Sequence, residues 1–409
     1  MDNKLRKTTK IPLPNKGEPY LLTPGPLSTS FETKEKMLVD LGSWDQDFKK
    51  ITSKILDKLI GILLQTSNDN SYFQSDPYLA VPMQGSGTFS VEAMLGSFVP
   101  KNGKALVLSN GSYGLRCYEI LKYFGRAVDI IDMGDYLPPD PFLLDKKLKQ
   151  DKSITHVVVI HCETSSGILN PLEAIANVVE KNQRSLLIDS VSSFGAIPID
   201  AGKIKFDALV SSANKCIEGV PGFGFVIAKQ SVLESSKNQS HSLSLDLYSQ
   251  WNYMNKTGQW RFTPPTHSIS AFLSALMQHE KEGGVMGRLG RYEKNKDTLV
   301  SAMDFIGFET MLSKRWLSPI IVSFLYPDDD NFNFNEFYDF MKKDGFIIYP
   351  GKLTSTDTFR IGCIGQLDSY VMKKVVRSIE SSLKIMRVKS ASPKKEILEE
   401  RKKLDELNY

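Results

Sequence analysis

From residue 104 to residue 229 the chain repeats one pattern: a short unbroken apolar run, a polar turn, then a longer stretch with apolar residues three and four apart. The unbroken runs are Lys104–Ser109, Ala127–Asp132, Ile154–Ile160, Ser185–Asp189, Asp207–Ser211 and Phe223–Lys229. Continuous rather than alternating apolar character marks strands buried on both faces. Helical spacing between them, as in Phe89–Phe98 and Pro171–Lys181, predicts right-handed crossovers and a largely parallel sheet. Around residues 266–305 the pattern becomes mainly helical. A second set then follows: Pro319–Leu325, helix Asn335–Lys343, strands Phe346–Tyr349 and Thr358–Gly362, and helix Ser369–Met386.

The expected architecture is α/β. A large domain over residues 18–285, with a mostly parallel sheet flanked by helices, precedes a smaller α+β domain over 286–387. The amino-terminal segment of the first can join the second. A basic extension (1–17) and a charged tail (388–409) flank them, and within the tail Lys394–Leu407 predicts an exposed amphipathic helix. No internal repeat is visible.

Composition narrows the class of function. At 409 residues, 41% apolar and 24% charged, the chain is an ordinary globular protein large enough for two domains. Its 51 basic and 47 acidic residues are dispersed and leave a net charge of +4, so nothing points to nucleic acid. Cys117, Cys162, Cys216 and Cys363 form no CxxC pair, and the five histidines are scattered. That pattern argues against a metal site or a disulfide framework and predicts a reducing cytoplasm. No apolar stretch approaches the about 20 residues of a membrane helix. Lys4, Arg6, Lys7 and Lys10 precede no hydrophobic segment; they read as a mobile terminus, with organelle targeting as the alternative.

Candidate chemistry collects at strand ends, where ligands of such sheets sit. Gly85-Ser86-Gly87-Thr88 leads from the extended segment Tyr78–Met83 into a helix, and helix N–H groups and hydroxyls there suit a phosphate; the plain reading is a turn. Tyr113, after the strand Lys104–Ser109, either stacks on a planar ligand or packs its loop. Thr164, after Ile154–Ile160, either bonds a ring substituent or shapes a turn. Asp189 closes an apolar run, as a helix cap or as the partner of a cation. Lys215 follows another such run and opens the turn Gly219–Gly224; it is either a solvated charge or an amine of lowered pKa. Arg360, inside an apolar strand pattern, either pairs internally or offers its planar fork to an anion. An amine at one strand end and an acid at another suit pyridoxal 5'-phosphate, which needs the first for an imine with its aldehyde and the second for its ring nitrogen.

With these residues in order, the chain resembles the fold-type I, class V aminotransferases that use pyridoxal phosphate, and among them the subfamily acting on 2-aminoethylphosphonate and pyruvate. The resemblance runs from about Tyr20 to Met386. It rests on Leu21–Leu27, Gln84–Thr88, Ser211–Phe223, Ser242–Tyr248, Trp260–His267 and Tyr349–Lys352. It implies Lys215 as the imine lysine, Asp189 as the pyridinium partner, and Ser86, Gly87 and Thr88 around the phosphate. It places Tyr113 on the ring, Thr164 at its hydroxyl side and Asn214 beside the lysine. Thr263 and Trp260 would reach the phosphate from the second subunit of a homodimer with shared sites, and Arg360 would bind the anionic end of each substrate. His241 stands where the subfamily pattern has arginine.

The implied reaction is transamination of 2-aminoethylphosphonate with pyruvate, giving phosphonoacetaldehyde and alanine. Two alternatives remain open at this point: an alanine–glyoxylate or serine–pyruvate aminotransferase on the same scaffold, and an idle cofactor-fold protein acting through its charged tails.

Overall fold

Seven strands form the central sheet of the computed structural model, which describes residues 17–68, 75–351 and 356–406. The basic extension up to residue 16, Lys352 of the Tyr349–Lys352 motif and Leu407 lie outside the described residues.

In chain order the large unit runs through helix α1 (Gln46–Gln65), strand β1 (Tyr78–Gln84), α2 (Gly87–Phe98), β2 (Lys104–Ser109), α3 (Ser112–Tyr123), β3 (Ala127–Asp132) and α4 (Pro141–Gln150). It continues through β4 (Ile154–Ile160), α5 (Leu172–Lys181), β5 (Ser185–Asp189), β6 (Ala208–Ser212), β7 (Phe223–Lys229), α6 (Leu247–Thr257) and α7 (Thr266–Lys281). Across the sheet the order is β1-β7-β6-β5-β4-β2-β3. All neighbours are parallel except β7, which is antiparallel to both β1 and β6.

The apolar runs explain the layering. Within β4, Val157 and Val159 pack into one core with α1 and α5, whereas Val158 and Ile160 enter the opposite core beneath α2 and α3. Strands β5 and β6 alternate in the same way, so one unbroken apolar run supplies both faces. Strand β3, at the edge, is half-exposed and carries Asp129 and Asp132.

Helix α8 (Gly284–Phe305) leads into a second core. There β8 (Ile321–Leu325), β10 (Thr358–Gly362) and β9 (Tyr349–Pro350) form an antiparallel sheet in the order β8-β10-β9, packed by α8, α9 (Phe334–Lys343) and α10 (Ser369–Met386). The single strand expected over Phe346–Tyr349 is divided. Phe346–Ile347 pairs with Tyr20–Leu21, Tyr349–Pro350 pairs with β10, and the wholly buried Ile348 lies between. Leu22 joins this second core, so the start of the described chain packs with its end.

The tail forms helix α11 (Lys395–Asp405), which is anchored rather than free. Arg401 donates to the Thr310 carbonyl and pairs with Glu309 at 3.1 Å. Arg315 donates to the Asp405 carbonyl at 3.1 Å, and the Tyr136 hydroxyl donates to the Asp405 carboxylate at 3.2 Å. Among the described residues no helix is long and apolar enough to cross a membrane.

Candidate active site

At the carboxyl ends of β4, β5 and β6 the chain encloses a cavity of about 220 Å³. Parallel strands place their ends in register: Asp189, last in β5, stands level with Ile160 of β4 and Val210 of β6. Asp189, Lys215, Asn214, Tyr113, Ser86, Gly87 and Thr88 all line this space. Residues dispersed along the sequence thus meet where ligands of open α/β sheets bind.

Each wall has a local cause. Gly85 adopts φ +103°, a left-handed turn that glycine takes without strain, and swings the chain from β1 into α2. Ser86 is the N-cap of α2 and makes no side-chain cap bond, which leaves its hydroxyl and the first helix N–H groups without a capping partner at the stretch Ser86–Thr88 that lines the cavity. A Cβ on Gly87 would lie 3.1 Å from Val191 and 3.3 Å from Ser212, so the helix start approaches the strand ends closely. The Thr88 hydroxyl accepts a hydrogen bond from Arg116 at 3.1 Å.

Asp189 is buried, and its carboxylate accepts the Val191 N–H at 2.9 Å. Burial raises its pKa to about 6; the Val191 N–H opposes that, Glu163 adds to it, and Arg116 and Lys215 offset it. Such a carboxyl group gains most from a cation placed directly against it. Lys215 donates to the Gly25 carbonyl at 3.1 Å, and Asn214 accepts from the Ser212 hydroxyl at 3.1 Å.

Thr164 and Arg360 do not line this cavity, but they are joined to each other. Arg360, on β10, is buried and donates to the Pro350 carbonyl at 3.0 Å and to the Thr164 carbonyl at 2.8 Å. Its guanidinium lies 5.9 Å from the centre of the Tyr349 ring and forms no ion pair among the described residues. Burial lowers its pKa. The internal salt bridge offered as its alternative role is therefore absent among them. The Thr164 hydroxyl is fully buried with no hydrogen-bond partner among the described residues, a group that a ligand oxygen would satisfy.

Trp260 and Thr263 also lie outside the cavity. Trp260 is a core residue: its ring meets Phe223 edge-on and its Nε1–H donates to the Thr52 hydroxyl at 3.2 Å. Thr263 is exposed and outside the cavity, though its carbonyl accepts from Gln84 at 3.2 Å, next to the Gly85 turn. His241 lies away from the cavity, with its ring 5.5 Å from that of Phe124.

Three residues were not singled out from the sequence. Arg116 lines the cavity with its guanidinium 4.9 Å from the centre of the Tyr113 ring; it is three positions along α3 from Tyr113, the spacing that shares a helix face. Glu163 is wholly buried, accepts the N–H groups of Tyr113, Gly114 and Ser165, and has its pKa raised by burial. Gly25 brings the Thr23–Pro26 turn against Lys215, and no local pattern announces that return.

The site fits pyridoxal phosphate. It offers an amine, a buried carboxyl group favouring a cation, an uncapped helix start with hydroxyls for a phosphate, and an orphaned hydroxyl for a ring oxygen. Among the described residues no group of His, Cys, Asp and Glu could hold a metal ion.

Comparison with known proteins agrees. The family model "Aminotransferase class-V" matches residues 83–327. The chain is 59% identical over 388 residues to the 2-aminoethylphosphonate–pyruvate transaminase of Rhizobium meliloti (strain 1021), covering 95% of this chain and 99% of that protein. It is 55% identical over 393 residues to 2-aminoethylphosphonate–pyruvate transaminase 1 of Paraburkholderia xenovorans (strain LB400), covering 96% and 99%. Among solved structures, pyridoxamine-pyruvate aminotransferase from Mesorhizobium loti shares the fold with a TM-score of 0.81 at 21% identity, over 92% of this chain and 95% of that one.

Proposed function

Because this chain belongs to the class-V aminotransferase family, we propose that it transfers the amino group of 2-aminoethylphosphonate to pyruvate, giving phosphonoacetaldehyde and alanine. The observation that carries the reading is the meeting of Lys215 and Asp189 in one cavity with the Ser86-Gly87-Thr88 helix start. The substrates follow from the extent of the likeness to the two transaminases, which spans nearly all of each chain.

Pyridoxal phosphate, when bound, supplies an aldehyde that accepts an amine and a ring that withdraws electrons from the bond being broken. Lys215 would anchor that aldehyde between turnovers and be released when the donor's amine takes its place. Its amine then removes the proton from the carbon that bears the donor's nitrogen, and in the second half it delivers a proton to the carbon that becomes Cα of alanine. Asp189 would hold positive charge at the ring nitrogen. Ser86, Gly87, Thr88 and Arg116 would hold the phosphate, Tyr113 would lie against the ring, and Thr164 would serve its hydroxyl oxygen.

Arg360 serves both half-reactions. The donor has no carboxylate on its reacting carbon, so its distant phosphonate must orient it, and pyruvate presents a carboxylate to the same fork. The two carbonyls behind the guanidinium fix its plane. We read the active form as a homodimer in the cytoplasm. An exposed Thr263 is free to approach a second copy, and four buried, unpaired cysteines suit a reducing compartment.

The test is a direct comparison of donors. The cofactor-loaded chain should form alanine from pyruvate with 2-aminoethylphosphonate, and much more slowly with serine; glyoxylate with alanine should be a poor pair. Lys215→Ala should abolish turnover and the pyridoxyl adduct trapped by borohydride. Faster turnover of serine would move the assignment to the serine–pyruvate type.

A further inference from the structure

A buried network lies directly behind Lys215. The chain turns through Cys216 and Ile217 to Glu218, whose N–H donates to the Lys215 carbonyl at 2.7 Å. Glu218 closes this turn at φ +62°, the left-handed region that side-chain-bearing residues rarely adopt. Something must hold it there, and its carboxylate shows what does. That group is 2% exposed; it accepts from Arg291 at 2.8 Å, from the Tyr292 hydroxyl at 2.6 Å and from Gln366, with Arg288 at 3.4 Å.

The donors come from two places. Arg288, Arg291 and Tyr292 belong to α8, and Arg288 also donates to the Cys216 carbonyl, inside the turn itself. Gln366 belongs to the segment 363–367 that follows β10, the strand carrying Arg360. That segment is held to α8 as well: Arg291 donates to the Gly365 and Leu367 carbonyls, and Asn295 donates to those of Cys363 and Leu367 at 3.0 Å. One carboxylate therefore joins the turn of the lysine to the strand of the arginine.

We propose that Glu218 is a positioning residue that sets where the Lys215 amine stands relative to the Arg360 guanidinium, and so how the substrate's reacting carbon meets the amine. The inference rests on the reading of Lys215 and Arg360 given above. Its physical basis is the steep dependence of proton transfer on placement, where an error of about 1 Å can cost about 100-fold in rate. A network that merely stabilised the fold would not need to terminate on the turn of the reactive lysine.

The test uses the full-length, cofactor-loaded chain with Glu218→Asp, which keeps the charge and withdraws it by one methylene. Two readings beyond stability are taken: kcat and KM for both substrates, and the pH at which the visible absorption of the loaded protein changes, which reports the surroundings of the Lys215 nitrogen. We expect kcat to fall about tenfold to 100-fold with KM changed by less than about threefold, and the visible transition to move by about half a pH unit or more. A folded Glu218→Asp with wild-type kcat and an unmoved transition overturns the proposal. If Glu218→Asp does not fold, Gln366→Leu decides, since it removes only the donor on the Arg360 side. A lower kcat at constant KM supports the role, and wild-type kinetics overturn it. A wild-type chain that binds no cofactor overturns the functional reading along with this one; a working wild type matched by its variants overturns this one alone.

Discussion

Lys215 donates a hydrogen bond to the main-chain carbonyl of Gly25 at 3.1 Å, across 190 positions of sequence. A Cβ on that glycine would lie 2.6 Å from both Cδ and Nζ of the lysine and 2.9 Å from the Asn214 carbonyl, and its φ of +115° is itself unfavourable for any other residue. Gly25→Ala therefore pushes the amine from its place. We expect turnover to fall by about 100-fold or more while circular dichroism stays native-like. An active Gly25→Ala enzyme would show that the lysine does not work from this position.

Asp189 makes function and stability oppose each other. Its carboxyl, raised to about 6 chiefly by burial, would titrate near 4 in the unfolded chain. Above about pH 6 the cofactor-free protein thus carries a buried anion at a penalty of roughly 3 kcal/mol. The penalty fades as the pH falls through 6 towards 4, where folded and unfolded chains both bind the proton. Asp189→Asn lacks it. Urea titration should show the cofactor-free variant to be more stable than wild type at about pH 7.5, with the advantage gone by about pH 4, while transamination drops at least about 100-fold. An advantage that grows in acid would contradict this account.

Arg360→Lys keeps the charge and loses the fork. A lysine cannot hold two carbonyls and a forked anion together, so both half-reactions should suffer. The expected loss is about 1.5–3 kcal/mol in kcat/KM, roughly tenfold to 150-fold, for 2-aminoethylphosphonate and for pyruvate alike. Single-turnover measurements of each half-reaction would check it. A defect confined to one substrate would mean that the other is oriented by a different group.

Arg116→Met should weaken cofactor retention. The guanidinium reaches both the Thr88 hydroxyl and the face of Tyr113, and it is the cation beside the helix start. We expect the dissociation constant of pyridoxal phosphate to rise about tenfold or more, and that of pyridoxal, which lacks the phosphate, to change little. Equal weakening of both would place the role of Arg116 at the ring instead.

The sheet was legible because its strands are buried on both faces and read as unbroken apolar runs, and Asp189 and Lys215 were legible because they interrupt that character at strand ends. β10 and α10 appear at the expected residues. Other features were hidden for physical reasons. Trp260 lies in a stretch similar to the family, yet only the packing of Phe223 and Thr52 around it shows a core side chain. Gly25 is an ordinary turn glycine until tertiary structure brings it to the lysine. Arg116 was visible in principle, through its spacing from Tyr113 on one helix, but a basic residue in an amphipathic helix usually faces water. The ties of α11 to Tyr136 and Glu309 involve partners remote in sequence, which composition alone does not reveal.

Those ties make the last helix a clasp. The polypeptide leaves the large unit at α8, builds the second one and returns through α11, which adds a further tie to those that Glu218 and the Thr164 carbonyl already make. Arg360 rides on one body and Lys215 on the other. Any widening of the gap between them would have to release Asp405 from Tyr136 as well as Gln366 from Glu218 and Arg360 from the Thr164 carbonyl, so a solvent-facing helix outside the active-site cavity shares in holding the catalytic halves together.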